Sequence, residues 1–329
     1  MTMPIRIAVI GAGIMGERMI GAALGHAADV ATIASVWDGS PDALARIAAE
    51  FPSITTAGSA AAAIEAADCV YIATPPATHI AYAAQSLAAG RAVFLEKPLA
   101  TDVAQAQAFV SEAAHARVAV NFPFASSQAV ERLQTWISQA GGIAPDASLT
   151  IDVAFASWPR PWQQAAAAWL DAPAEGGFTR EVVSHFLFLA RRLLGPLQLL
   201  SAHVDRPADL CASQTERAIT ARLLAGTTPV ALTGAVGTVT ADDHNTWTLA
   251  GTLAGPHLRL RDWSWAERGL PDGTWATDPD AAPNERVRPA TLRRQLEGVA
   301  RMTRGEPHHL ATLAEALEVQ TVVEAILAA

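Results

Sequence analysis

The sequence predicts an α/β domain with a doubly wound parallel sheet, followed by an α+β domain with a mostly antiparallel open sheet. Up to about residue 122, short apolar strand patterns alternate strictly with helical patterns. Beyond that point, longer strand patterns follow one another without long crossover helices. The length of 329 residues also exceeds the size at which a single core stops growing. We therefore expect two domains, 1–122 and 123–329, with the last helix able to pack back on the first domain.

In the first half, each element is predicted from its local pattern. Apolar runs rich in β-branched residues predict strands at 5–10, 30–37, 53–56, 69–73, 91–95 and 118–121, of which 53–56 is a short edge strand. Apolar residues at helical spacing predict helices that begin near residue 14 and cover 41–51, 59–67, 77–89 and 101–115. Ser59 is the expected N-cap of the alanine-rich helix, and Gly90 ends the next one.

In the second half, the strand patterns are longer and the helices fewer. We expect strands at 148–157, 197–204, 217–225, 230–239, 245–250 and 257–262, and helices at 128–139, 179–194 and 310–328. Gly195 and Pro196 end the middle helix. An open sheet needs covering, so we expect a homodimer or homotetramer that forms through this sheet.

A glycine-rich turn joins the first strand to the first helix. Gly11 suits a tight turn, Gly13 lets the backbone approach a pyrophosphate, and Gly16 allows close packing of helix on strand. The helix begins near Ile14, so its first amides, including that of Met15, would hold the phosphate charge. Because the motif follows a strand and opens a helix, it predicts a dinucleotide-binding Rossmann domain.

Asp38 closes the second predicted strand, about twenty residues beyond the glycines, where an acid binds the hydroxyls of the adenosine ribose. The alternative is a turn aspartate before Gly39, Ser40 and Pro41, and the two roles are compatible. An acid here repels a 2′-phosphate, and no arginine stands at 39 or 40. NAD is therefore the expected cofactor, with NADP as the alternative.

Composition excludes several other functions. A hydrophobic content of 51% with 17% charged residues is typical of a soluble globular protein, and the net charge of −9 argues against nucleic acid or an anionic membrane as partner. No apolar stretch has membrane length, and Arg6 with the early glycine motif leaves no room for a signal peptide. Cys69 and Cys211 suit a reducing compartment, with Cys69 as a small core residue. We expect a cytoplasmic protein without a metal site, whose partner is a small-molecule substrate.

Two groups of residues could carry chemistry. Lys97 lies at the carboxyl end of a predicted strand, where it could move a proton or polarise a carbonyl; the alternative is an exposed loop lysine paired with Glu96. Glu181 and His185 are four residues apart on a predicted helix, so the carboxylate could orient the imidazole, although such pairs also occur as ordinary surface pairs. The glycine pair at 176–177 would give a substrate close access to the first turns of this helix.

Three tryptophans cluster before that helix, namely Trp158, Trp162 and Trp169. Covering a sheet face is the favoured interpretation, and stacking on the apolar face of a sugar-like ring is the alternative. Trp162 is accordingly included among the candidate substrate residues.

The combination of motifs resembles the glucose–fructose oxidoreductase/inositol dehydrogenase family (Gfo/Idh/MocA-type), over essentially the whole chain. The residues that carry the resemblance are the glycine motif, Thr74-Pro75-Pro76 with His79, Glu96-Lys97-Pro98, Gly176-Gly177 before Glu181 and His185, and Arg304-Gly305-Glu306-Pro307. The resemblance implies a cofactor site lined by Thr74, Pro75, Pro76, His79, Glu96 and Lys97. It also implies that Lys97 and His185 handle the proton, and that the substrate lies near Lys97, Trp162, Arg180 and His185.

Several positions depart from the family pattern. Members commonly have aspartate where Glu181 stands, glycine at Val183, a further aspartate at Phe188 and an arginine near Phe124. The missing carboxylate at Phe188 removes a contact often used for sugar hydroxyls. This favours a less polar ring, or a deoxy- or keto-sugar, over a polyol.

We therefore expect an NAD(P)-dependent oxidoreductase of carbohydrate metabolism that interconverts a secondary alcohol and a ketone on a sugar-like or cyclic small molecule. One alternative is a redox-assisted glycoside hydrolase or lyase that retains its NAD. Another is a non-catalytic dinucleotide-sensing regulator, which would need neither Lys97 nor His185.

Overall fold

The computed structural model describes residues 3–207, 215–240 and 244–329. The chain divides into two units. The first comprises the residues up to Ser126 together with Arg288–Leu317, and the second comprises Ser127–Val287 with Glu318–Ala329. Cys211, on which the expectation of a reducing compartment partly rests, lies outside the described residues.

The first unit contains a parallel sheet. Its strands are β1 (Ile5–Ile10), β2 (Ala31–Trp37), β3 (Cys69–Ile72), β4 (Ala92–Glu96) and β5 (Val118–Asn121). They lie in the order β2-β1-β3-β4-β5, and every neighbouring pair is parallel. The predicted doubly wound sheet is confirmed, and the carboxyl ends of its strands share one edge.

Helices connect these strands. They are α1 (Ile14–His26), α2 (Pro41–Glu50), α3 (Ala60–Glu65), α4 (His79–Ala88) and α5 (Val103–Glu112). Ser40, Ser59 and Asp102 cap α2, α3 and α5 by accepting hydrogen bonds from backbone N–H groups three residues later, at 3.3, 3.1 and 2.7 Å. The predicted cap at Ser59 is confirmed.

The predicted edge strand at 53–56 is wrong. Thr56 forms a single isolated bridge with Val36 of β2. The chain turns at Phe51, because the N–H of Ile54 donates to the Phe51 carbonyl at 2.9 Å. The segment therefore meets β2 at one point and does not run along it.

The second unit begins with α6 (Gln128–Gln139) and contains an eight-stranded sheet. Its strands are β6 (Ile143–Phe155), β7 (Leu197–Asp205), β8 (Ala218–Ala225), β9 (Thr228–Val236), β10 (His244–Thr252), β11 (Leu258–Arg261), β12 (Trp265–Gly269) and β13 (Trp275–Thr277). The order is β13-β12-β11-β10-β6-β9-β8-β7, and only β6 with β9 is parallel among these described strands. The predicted mostly antiparallel sheet is confirmed.

The second sheet has one buried face and one exposed face. Along β6, Leu149 and Ile151 are buried, whereas Thr150 and Asp152 between them are exposed. Two helices follow β6: α7 (Ala167–Leu170) and α8 (Ser184–Leu194), the latter directly after a π-helical turn at Thr179–Val183. The ring of Phe178, which precedes this turn, packs on the buried face.

Strands β12 (Trp-Ala-Glu-Arg-Gly) and β13 (Trp-Ala-Thr) were not predicted, because they are short and lack a regular alternation of apolar and polar residues. The buried Glu267 of β12 accepts hydrogen bonds from Arg259 at 2.7 Å and from Arg261 at 3.3 Å. Burial alone would raise the pKa of Glu267, but these arginines hold that pKa below its usual value. The Arg259 guanidinium also lies 4.2 Å from the ring centre of Trp275 on β13.

The helix α9 (Asn284–Thr303) was missed, whereas α10 (Leu313–Leu327) matches the predicted last helix. Arginines and an internal Pro289 hide the amphipathic pattern of α9. Its second half nevertheless buries Leu296 and Val299 in the same apolar core as β1. None of the helices in the described part of the chain is long and apolar enough to cross a membrane.

Candidate active site

The glycine turn after β1 has the geometry that its motif predicts. Gly11 has a φ of +102°, and a Cβ there would lie 2.6 Å from the Ala73 carbonyl. A Cβ at Gly16 would lie 2.1 Å from the Gly11 oxygen. Gly13, the N-cap of α1, makes no side-chain cap, and a Cβ there would meet nothing within 4 Å. The amides at Ile14 and Met15 thus begin a helix with an open approach, which fits a pyrophosphate.

Asp38 stabilises the turn that follows it, which was the alternative to its predicted role in binding ribose. Its Oδ1 accepts from the Ser40 N–H at 2.8 Å, and its Oδ2 accepts from the Ala12 N–H at 2.7 Å. A carboxylate has about four acceptor sites, so two of them are not used by these bonds. The structure therefore allows the predicted contact with ribose hydroxyls, which stays a prediction.

His79 connects two segments of the predicted cofactor site. Its Nε2 lies 2.7 Å from the Thr74 carbonyl oxygen, and its Nδ1 lies 2.7 Å from the Pro98 carbonyl oxygen. Both partners are acceptors, so the ring nitrogen that carries the proton donates to one of these carbonyls. With a side chain that is 1% exposed, His79 supports the segment of Thr74, Pro75 and Pro76 from within. A direct contact between His79 and the cofactor stays a prediction.

We expect His79→Ala to lower stability by about 2–4 kcal/mol, because it removes a buried side chain together with its hydrogen bonding to the Pro98 and Thr74 carbonyls. Each kcal/mol should lower Tm by roughly 2–4 °C. Thermal unfolding measures the change, and nitrogen chemical shifts of the ring report whether both nitrogens carry protons. His26→Ala, at an exposed position at the end of α1, is the matched control. An unchanged Tm for His79→Ala would contradict this account.

Glu96 belongs to a buried hydrogen-bond network. Its Oε1 accepts from the Tyr71 hydroxyl and from Asn121 Nδ2, the latter at 2.6 Å, and Gln295 Nε2 donates to Asn121 Oδ1 at 2.5 Å. Burial, together with the Glu96 charge, raises the pKa of Tyr71 well above its usual value, so the phenol remains a donor. The Glu96 carboxylate thus holds the end of β4 in place from the interior, a role that sequence reasoning missed.

Lys97 follows directly at the carboxyl end of β4 and is half-buried. Because the preceding Glu96 is 8% exposed and tied to β3 and β5, the backbone at Lys97 starts from a fixed position. The Glu96 carboxylate is therefore buried, whereas the alternative interpretation expects an exposed pair. Lys97 accordingly lies at the sheet edge where ligands of such domains bind.

In the second unit, the buried Glu216 fixes the start of the helix that carries His185. Glu216 Oε1 accepts from the Thr179 N–H at 2.8 Å and from the Thr179 hydroxyl at 2.6 Å. A Cβ at Gly177 would lie 2.5 Å from Glu216 Oε2, and one at Gly176 would lie 2.1 Å from the Leu170 oxygen. The glycine pair therefore makes room for protein atoms, and access of a substrate to these turns stays a prediction.

Glu181 lies within the π-helical turn and His185 one turn later in α8. The π-turn inserts one extra residue, a feature often found at functional sites, and it changes the angular relation expected for a regular i, i+4 pair. His185 is 7% exposed and Glu181 is half-buried. Orientation of the imidazole by Glu181 stays a prediction.

Trp263 is a neighbour of His185 that sequence reasoning missed. It lies on the hairpin between β11 and β12, and its ring centre is 5.3 Å from that of His185. Its φ is +72°, a conformation that bulky residues rarely adopt. The preceding Asp262 is tied to the backbone of Asn245, which holds the hairpin in this conformation. Strained backbone of this kind clusters at functional sites.

Arg180 has a structural position, which does not support its predicted contact with substrate. Its Nε and Nη2 donate to the Glu324 carboxylate at 2.6 and 2.7 Å, and its Nη1 donates to the carbonyls of Pro173 and Gly176, each at 2.8 Å. Four of the five N–H donors of the guanidinium are therefore directed at protein acceptors. The side chain joins the start of the helix to α10.

The tryptophan cluster divides into core and surface. Trp158 is 6% exposed and packs on Phe155 and Phe178, as the sheet-covering interpretation expects. Trp162 is 49% exposed, with the Arg160 guanidinium 4.7 Å from its ring centre. Trp162 thus remains accessible for the predicted stacking on a ring.

No group of three or more His, Cys, Asp or Glu side chains that could hold a metal occurs among the residues the structure describes. Cys69 is buried in β3, and burial raises the pKa of its thiol to about 12. It therefore stays protonated and serves as a core residue, as expected.

The predicted site residues fall into two groups. Gly11, Gly13, Asp38, Thr74 and Lys97 mark the carboxyl edge of the first unit's sheet. The predicted catalytic and substrate residues of the second unit are Trp162, Arg180, Glu181 and His185. The cooperation of Lys97 with His185 stays a prediction.

Residues 5–123 match the family model described as "Oxidoreductase family, NAD-binding Rossmann fold" (GFO_IDH_MocA). The fold and this match define an NAD-dependent oxidoreductase. The match lies entirely within the first unit of the chain. The resemblance and the expected NAD cofactor are thereby confirmed. Among curated proteins, none matches the sequence significantly.

Solved structures share the fold over both units. An oxidoreductase from Thermotoga maritima has a TM-score of 0.80 at 16% identity, covering 98% of this chain and 96% of that one. A putative myo-inositol dehydrogenase from Sinorhizobium meliloti has a TM-score of 0.75 at 19% identity, covering 98% and 97%. The WlbA dehydrogenase from Bordetella pertussis, in complex with NADH and UDP-GlcNAcA, has a TM-score of 0.78 at 20% identity, covering 98% and 94%.

Proposed function

We propose that the protein interconverts a secondary alcohol and a ketone on a sugar-like or cyclic small molecule by hydride transfer with NAD. The observation that carries the proposal is the placement of Lys97 at the ligand-binding edge of an NAD-binding domain, next to the buried Glu96 network. The names of two fold relatives, an inositol dehydrogenase and a dehydrogenase bound to a nucleotide sugar, support this substrate class.

In the direction of oxidation, the substrate carbon loses a hydride and its hydroxyl loses a proton. Bound NAD supplies the hydride acceptor. His185 takes the proton, and the Lys97 ammonium stabilises the negative charge that develops on the oxygen. Glu181 favours the imidazole tautomer that leaves one nitrogen able to accept. The products are the ketone, the reduced cofactor and a protonated His185, which loses its proton to solvent.

The surroundings of His185 support a substrate ring that is less polar than a polyol. Val183 and Phe188, at positions where family members commonly have glycine and aspartate, are 0% and 1% exposed. Trp263 adds a further apolar surface next to the imidazole. Such surroundings strengthen polar contacts within them but offer few partners to substrate hydroxyls.

The test is a cofactor-fluorescence screen with inositols, hexoses, deoxy- and keto-sugars, cyclic diols and nucleotide sugars. We expect one class to reduce NAD in proportion to the ketone that forms. Product formation with retained NAD and no net change in absorbance would instead identify a redox-assisted hydrolase or lyase. Dinucleotide binding without turnover on any of these classes would favour a regulator.

We also propose that the exposed face of the second sheet joins copies of the chain into a homodimer or homotetramer. The exposed residues of its strands include the small or hydroxyl side chains Thr150, Thr220 and Ala231. A molar mass measured by light scattering tests this proposal.

A further inference from the structure

Arg46 of α2 reaches the glycine turn of the NAD-binding domain. Its Nη2 donates to the Ala12 carbonyl at 2.7 Å, and its Nε donates to Glu17 Oε1 at 2.6 Å. The N–H of the same Ala12 donates to Asp38 Oδ2 at 2.7 Å. A guanidinium and the ribose-site carboxylate therefore flank one residue, although Arg46 and Asp38 are eight positions apart in the sequence.

This arrangement changes the charge that we expect around the adenosine ribose of a bound dinucleotide. The sequence places no arginine directly after Asp38, which by itself leaves nothing to neutralise a 2′-phosphate. The fold nevertheless brings an arginine to this place, namely Arg46 in the second turn of α2. The Arg46 side chain is 52% exposed, so its charge is accessible from solvent. Its hydrogen bonds to Glu17 and Ala12 use two of the five N–H donors of a guanidinium.

We propose that Arg46 is a latent 2′-phosphate site that Asp38 and Glu17 hold in the NAD-selective state. Asp38 repels the extra phosphate, and Glu17 neutralises the guanidinium that would otherwise attract it. A guanidinium binds phosphate oxygens through paired, charge-assisted hydrogen bonds, so it accepts the 2′-phosphate once the acids are removed. The ligand class is a dinucleotide with a phosphate on the adenosine ribose.

The proposal rests on NAD binding by the first domain and not on the proposed reaction. Glu17 and Arg46 form a partly exposed ion pair, and such pairs contribute little to stability, so their removal should leave the fold intact. Binding of dinucleotides can be measured by calorimetry without any substrate. Failure of the substrate screen would therefore leave this inference standing, and its own failure would leave the proposed reaction standing.

The experiment compares the NAD and NADP affinities of the unmodified protein, Asp38→Ser, Asp38→Ser/Glu17→Gln and Asp38→Ser/Arg46→Ala. We expect Asp38→Ser to gain NADP affinity by about tenfold, and Glu17→Gln to add to that gain. Arg46→Ala in the Asp38→Ser background should remove most of the gain in NADP affinity, leaving the part that comes from relief of the Asp38 repulsion, while NAD affinity changes less. The gain should also weaken at high ionic strength, because the pair is exposed.

Arg6→Ala in the Asp38→Ser background is the matched control, because Arg6 is an exposed arginine of the same unit that pairs with Asp68. This control should keep the NADP gain. Equal NADP affinities for Asp38→Ser and Asp38→Ser/Arg46→Ala would overturn the proposal, as would tighter binding of NADP than NAD by the unmodified protein.

Discussion

Lys97→Ala is expected to lower kcat by about 10²–10⁴-fold while the affinity for NAD changes little. The proposed role of Lys97 is at the reacting centre, where an ammonium stabilises charge that exists only in the transition state. The measurement pairs steady-state turnover on a substrate found by the screen with a calorimetric titration of NAD.

Lys97→Arg is a useful comparison, because it keeps the charge but replaces a compact ammonium with a planar guanidinium. We expect it to recover only part of the lost turnover. Parallel losses of NAD affinity and turnover in Lys97→Ala would instead make Lys97 a cofactor-binding or structural residue. Loss of cooperative thermal unfolding would indicate that the change disturbs the buried Glu96 network next to it.

His185→Ala is the second change with a large expected effect, again about 10²–10⁴-fold in turnover, because it removes the proposed proton acceptor. His203→Ala is the matched control within the same unit, since His203 is 73% exposed and pairs with Asp205 on β7. The control should retain full turnover. Near-normal turnover in His185→Ala would show that another group, with Lys97 the first candidate, carries the proton.

Glu181→Gln tests whether Glu181 orients the His185 imidazole without itself transferring the proton. It should keep the fold and NAD affinity and should lower turnover less than His185→Ala does. In the direction of reduction, His185 must carry a proton, and loss of a nearby negative charge lowers the pKa of an imidazole. The alkaline limb of the kcat profile should therefore move to lower pH. An unshifted pH profile of kcat would show that the Glu181 charge does not act on the His185 imidazole.

The elements with a clear periodicity were predicted well, because their patterns are local. Alternation along β6 and the β-branched run of β1 follow from which face each residue presents. By contrast, α9 and β12 were missed because arginine, tryptophan and glutamate obscure the apolar pattern of these elements. These elements are stabilised by partners elsewhere in the chain, such as the arginines around Glu267, which no local pattern reveals.

The candidate site residues divide in the same way, between those specified by a local motif and those fixed by distant partners. Gly11 was recognised from the sequence because a motif specifies the backbone conformation, and the structure adds the reason that a Cβ would strike Ala73. Arg180 was assigned to substrate because it is adjacent to Glu181, yet its partner Glu324 lies 144 residues away. Trp263 lies 78 positions after the His185 that it contacts, and it belongs to no motif.

The sequence by itself determined that this chain begins with a dinucleotide-binding parallel sheet and continues with an antiparallel one. It could do so because periodicity, turn glycines and helix caps act over a few residues. Only the tertiary structure decided which partner each charged side chain meets: Thr179 for Glu216, Glu324 for Arg180, and the Ala12 carbonyl for Arg46. The physical reason is that these contacts close long loops, and their energy depends on burial and geometry that exist only after the core has formed.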